Sequence, residues 1–129
     1  MNERKFITKG ENIPLINAPI SQAVVAGNYC HISGQLATGI DGKLINGTIK
    51  EQTEIAFKNL FAVLKETGFT KEEIVFVDIA FTNLNDLAEI TPFYDSLFES
   101  NKKPARTIYE ASALPYGGKI KVMAIAIRT

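Results

Sequence analysis

Apolar residues recur with a helical period between about Thr48 and Thr67. Ile49, Ala56, Leu60, Val63 and Leu64 fall on one stripe, and Phe57 and Phe61 widen it. Thr48 stands three residues before Glu51, the spacing of a capping box, and Gly68 suits the left-handed residue that closes a helix. Elsewhere the period shortens to two. The runs 23–26 and 29–32 flank Gly27-Asn28, a turn pair that predicts a β-hairpin. Ile74 to Phe81 is apolar on both faces, as in a strand inside a covered sheet. Two more strands are expected near Arg106 to Ala113 and Lys119 to Ile127, joined by Leu114-Pro115-Tyr116-Gly117-Gly118. Before the hairpin, Arg4 to Pro19 reads as a short extended stretch and then loop. A second helix is expected to begin at Pro92, with Thr91 as its cap and Phe93, Tyr94, Leu97 and Phe98 as its buried stripe.

The expected order is β-β-β-α-β-α-β-β, an α+β domain spanning residues 1–129 with both helices on one face of a mixed sheet. Nothing in the chain is left to cover the other face, which predicts association through the sheet. With 129 residues, 46% of them apolar, a single buried core is within reach. Lys plus Arg equals Asp plus Glu at 14 each, so nucleic-acid binding by bulk charge has no support. No apolar run approaches the length of a membrane span, and the first residues lack the apolar stretch of a secretory signal. A cytoplasmic protein without membrane attachment is the expectation. One cysteine and one histidine leave no Cys- or His-rich metal set, and no glycine-rich phosphate loop is present, so no metal and no cofactor are expected.

Few residues remain as candidates for chemistry. Arg106 opens the penultimate strand, and its guanidinium fork suits a small carboxylate; a solvated arginine is the plainer alternative. Ser33-Gly34-Gln35 ends the hairpin, either as a turn or as a place where a ligand approaches the backbone. His31 shares a strand face with Ser33 and is a residue type suited to acid-base work, but it has no evident partner. Cys30 points to the opposite face and reads as core. Asp78 and Glu110 are carboxylates within apolar strands, explained equally by a nearby lysine or by solvent.

Taken in order, several short segments resemble the RidA/YjgF family of reactive-intermediate deaminases. They are Pro19-Ile20-Ser21-Gln22-Ala23-Val24, Ile32-Ser33-Gly34-Gln35, Leu84-Asn85-Asp86-Leu87, Tyr94, Pro104-Ala105-Arg106-Thr107, Leu114-Pro115 and Ala124-Ile125-Ala126-Ile127. The resemblance implies a chorismate-mutase-like fold assembled as a homotrimer, with sites in clefts between subunits. It also implies cofactor-free hydrolysis of 2-imino acids to 2-keto acids and ammonia. Arg106 would then bind the substrate carboxylate, and Ser33, Gly34 and Asn85 would line the site. The backbone of Ile108 would hold water or the imine nitrogen. Met123 is expected where family enzymes often carry a water-orienting glutamate, and Ile20 where they often carry a tyrosine. Both changes point to a more apolar pocket and bear on rate and side-chain preference. A non-catalytic binder of 2-keto or amino acids would use the same residues. An endoribonuclease, also attached to this family, is poorly matched by zero net charge and a lone histidine.

Overall fold

The computed structural model describes residues 3–129. Its strands are β1 (Arg4–Ile7), β2 (Ala23–Ala26), β3 (Tyr29–Gln35), β4 (Ile74–Phe81), β5 (Ala105–Glu110) and β6 (Ile120–Ile127); its helices are α1 (Ile49–Thr67) and α2 (Leu87–Ser96). Single 3-10 turns lie at Lys71–Glu73, Leu84–Asp86 and Pro115–Gly117. One six-stranded sheet has the order β1-β2-β3-β6-β4-β5. The β4–β5 pair is parallel, and the other pairs are antiparallel. The mixed α+β sheet inferred from patterning is therefore the observed architecture.

The long helix forms as its sequence dictates. Thr48 accepts from the Glu51 amide, the Glu51 carboxylate accepts from the Thr48 amide, and Gly68 closes the helix at φ 85°. Its stripe of Ile49, Ala56, Phe57, Leu60, Val63 and Leu64 is buried on β2, β3 and β6 against Ile32, Val122, Ala124 and Ala126. Val77, Ile79 and Phe81 extend the same core beneath α2. Gly27 turns the β2–β3 hairpin at φ 59°.

Two local expectations are corrected. The second helix does not begin at Pro92; it begins at Leu87 and carries Pro92 in its interior. Starting early puts Ile90 fully into the core beside Tyr94. The 3-10 turn at Leu84–Asp86 feeds the chain straight into the helix. Pro92 deprives only the carbonyl of Ala88, and both residues are exposed, so the lost donor leaves no buried polar group unsatisfied. Second, Ser33-Gly34 does not terminate a strand. It lies within β3 as a β-bulge, since Ile32 pairs with Ala124 and Gln35 with Val122 while Met123 alone spans the two residues between.

Pairing register and burial separate the two sheet faces. The face away from the helices carries Phe6, Val24, Tyr29, His31, Phe76, Met123, Ile125 and Ile127, half-buried or exposed in this chain. Asp78 sits on that face and accepts a hydrogen bond from the Thr107 hydroxyl. Among the described residues, no helix is long and apolar enough to cross a membrane.

Candidate functional site

The bulge in β3 organises the first half of the site. Two buried amides tie the preceding loop to it: Gln22 Nε2 donates to the Pro14 carbonyl at 3.0 Å, and Gln22 Oε1 accepts from Gln35 Nε2 at 2.8 Å. Gln35 Nε2 also reaches the Ser33 carbonyl at 3.1 Å. Ser33 donates its hydroxyl to the Ser21 carbonyl at 2.6 Å and its amide to the Gln22 carbonyl at 2.8 Å. Residues 14–22 are thereby held against the end of the sheet, where they enclose a cavity of about 220 Å³. Ile20, Gly34 and Lys121 line it, with Leu15, Ile16, Leu36 and Tyr116 as apolar wall. Tyr116 stands at φ 63°, a left-handed conformation that costs a non-glycine residue about 1 kcal/mol or more. Gly42 is required on the same wall, because a Cβ there would come within 2.5 Å of the Leu15 carbonyl oxygen.

Arg106 belongs to a different place. The β4–β5 register puts it with Ile108 and Glu110 on the helix side of the edge strand. Its guanidinium carbon lies 4.6 Å from the centroid of the Tyr94 ring. Among the described residues it has no carboxylate partner, so a stacked and exposed guanidinium is presented with its donor fork unused. Tyr94 is buried, and its hydroxyl has no hydrogen-bond partner among the described residues. Burial pushes the pKa of that hydroxyl up, and the Arg106 charge opposes the shift.

Ile108 is half-buried against the core, and its backbone runs along the outermost strand, where alternate polar groups face away from β4. Asn85 is exposed in the 3-10 turn before α2, held there by its amide bond to Asn83 Oδ1 at 3.0 Å. Glu110 ends β5 and accepts from the Leu84 amide at 2.8 Å, a structural role that anchors the same turn.

One chain does not bring these groups together. Gly34 on β3 and Arg106 on β5 are three strand positions apart, roughly 14 Å at the usual spacing, and Arg106 lies on the helix side. Of the residues expected from sequence, Ile20 and Gly34 line the cavity and Ser33 buttresses it. Arg106, Ile108 and Asn85 form a second group, along β5 and the turn before α2. Met123 lies outside both, opposite the bulge and beside Asp78. Lys121, two positions earlier on the same face, lines the cavity instead. A lysine alternating with apolar residues reads as a solvated strand position, so sequence reasoning passed over it. His31 is exposed and pairs with the Tyr29 hydroxyl at 3.2 Å. Cys30 is fully buried, and burial pushes its thiol pKa up.

A family model described as Endoribonuclease L-PSP matches residues 11–128. A RutC family protein of Pyrococcus horikoshii is 36% identical, over 92% of this chain and 94% of its own length. The 2-iminobutanoate/2-iminopropanoate deaminase of Bos taurus is 34% identical, over 97% of this chain and 90% of its own. The crystal structure of YyfA, a Rid family protein of Yersinia pestis, superposes with a TM-score of 0.90 at 33% identity, covering 98% of this chain and all of its own.

Proposed function

The chain belongs to the Endoribonuclease L-PSP (RidA/YjgF) family, and from that premise we propose that it hydrolyses small 2-imino acids to 2-keto acids and ammonia. The observation that carries this reading is the unpaired Arg106 guanidinium, stacked on Tyr94 beside the free edge of the sheet. Such a fork takes a carboxylate through two parallel hydrogen bonds and fixes the attached imine carbon in one place. Water then adds to that carbon while the C=N π pair moves to nitrogen. One proton passes from the added water to nitrogen to give the carbinolamine; the remaining hydroxyl proton then follows to nitrogen as the C–N bond breaks, and ammonia leaves as the keto C=O forms. Polar backbone groups along Ile108 hold the water or the nitrogen, and fixed dipoles of this kind stabilise the charge that develops.

A complete site on this reading takes two copies of the chain. Arg106, Ile108 and Asn85 of one copy face Ser33, Gly34 and Ile20 of another, and the apolar open face of the sheet is the surface through which copies associate as a homotrimer. The separation of the two groups within one chain supports this arrangement, as does the apolar character of that face.

One observation favours a second reading, a binder of 2-keto acids without turnover. Among the described residues the cavity has no Asp, Glu or His in its lining to serve as a general base in that half of the site. Hydrolysis then rests on positioning and on backbone groups alone. The deciding assay generates 2-iminopropanoate and 2-iminobutanoate in place with an amino-acid oxidase and follows their decay. The protein should accelerate ammonia release, and Arg106→Ala should lower kcat/KM by about 10² or more through lost orientation. No acceleration, with keto acid still bound, establishes the binder. Equal rates for wild type and Arg106→Ala sink the site assignment.

A further inference from the structure

Among the described residues, Lys121 is the one charged group in the wall of the cavity beside the bulge. It leaves β6 on the open face of the sheet and is half-buried. Its stem lies across Gly34 so closely that a Cβ at position 34 would stand 2.8 Å from Lys121 Cδ and 3.0 Å from Cγ. The missing side chain at Gly34 therefore makes room for the lysine stem along the cavity wall.

The charge is uncommitted. Ion pairs among the described residues engage Lys102, Lys103 and Arg128, and Lys121 makes no side-chain hydrogen bond there. The lining amides are already used, Gln22 on the Pro14 carbonyl and Gln35 on Gln22 and the Ser33 carbonyl. Leu15, Ile16, Ile20 and Tyr116 supply apolar surface opposite. An ammonium beside apolar wall, with no protein counter-charge, is half of an ion pair whose other half a ligand can bring. At about 220 Å³ the space is smaller than sites for drug-sized ligands, which fits a small metabolite.

We infer that this cavity takes a small carboxylate with a branched apolar side chain, Lys121 Nζ pairing the carboxylate and Leu15, Ile16, Ile20 and Tyr116 covering the side chain. This names the side-chain class and a second carboxylate group for the deaminase reading, and rests on that reading only for turnover. Binding is measured by calorimetry on the full-length protein with 2-oxopropanoate, 4-methyl-2-oxopentanoate and the neutral ketone 4-methylpentan-2-one. The branched keto acid should bind at least about tenfold tighter than 2-oxopropanoate, since each buried methylene contributes roughly a factor of four. The ketone should show no measurable binding. Lys121→Met, which keeps the stem and removes the charge, should weaken the branched acid about tenfold without altering thermal unfolding, and Lys121→Arg should restore it.

Equal affinity for the two keto acids, or unchanged affinity in Lys121→Met, overturns the inference. If Arg106→Ala then loses binding, the carboxylate anchor is Arg106 alone and the deaminase reading stands. Binding as expected without ammonia release from the leucine- and alanine-derived imines removes the deaminase reading and leaves this one intact. Failure of both keto acids to bind overturns both.

Discussion

At the edge of the sheet a guanidinium rests on the face of a phenol whose hydroxyl is buried and, among the described residues, unpartnered. Only the ring face of Tyr94 is needed to hold Arg106, whereas a buried hydroxyl without a partner costs about 1–3 kcal/mol. Tyr94→Phe should therefore raise stability by about 1 kcal/mol in urea unfolding and leave the kinetics of Arg106-dependent chemistry unchanged. A fall in kcat/KM with unchanged stability would instead show that the hydroxyl reaches the ligand. Arg106 stood out in the sequence as a planar cation at a strand start, with a solvated arginine as the plainer alternative, and only the family resemblance singled it out as a carboxylate fork. Lys121 was not legible by the same logic. Its importance comes from the bulge across the strand pair, where Gly34 makes room for its stem, and no pattern along one strand reveals a register shift between two. Met123 is the converse: family likeness singled it out, yet it projects beside Asp78 rather than into the cavity.

Elements whose signals are local were readable to within a residue. The helix α1 has its capping box, its stripe and its left-handed glycine all in the sequence, and each is in place. The hairpin at Gly27-Asn28 follows the same rule. The helix α2 was misread because its start depends on burying Ile90, a tertiary demand that outweighs the cost of Pro92 inside the helix. The capping box makes a prediction about acid. Hydrogen bonds from the Thr48 amide and hydroxyl hold the Glu51 carboxyl below the ordinary carboxylate range. A depressed folded-state pKa contributes stability that is full above the unfolded value and is lost as pH falls through the folded one. Glu51→Gln keeps the geometry of the box but cannot ionise. Wild type should thus exceed Glu51→Gln in urea stability at pH 7, and the gap should close as the pH drops below the carboxylate range. A gap constant with pH would deny the linkage. Thr48→Ala, which removes the cap acceptor and the hydroxyl's bond to Glu51, should cost about 1 kcal/mol at pH 7 and less as Glu51 becomes protonated.

For the whole molecule, strand order decides what one chain can do alone. Inserting β6 and β4 between β3 and β5 drives Gly34 and Arg106 apart, and neither composition nor periodicity predicts that insertion. The patterning did show that one sheet face lacks cover, and the structure leaves Phe6, Tyr29 and Ile127 exposed there. If that face joins copies and each site draws on two of them, activity must be recoverable from two dead variants. Arg106→Ala removes the carboxylate fork from one half-site. Gly34→Val fills the other, because even a Cβ there presses on the Lys121 stem at 2.8 Å. Each variant alone should be inactive, with the thermal melt confirming that it is folded. Unfolding and refolding them together in equal amounts should restore about a quarter of wild-type activity, the fraction of random interfaces that pair an intact fork with an intact cavity. Mixing them without unfolding should recover activity only as fast as subunits exchange. No recovery after joint refolding, with mixed oligomers demonstrated by mass, would place the whole site within one copy and dismiss the shared cleft.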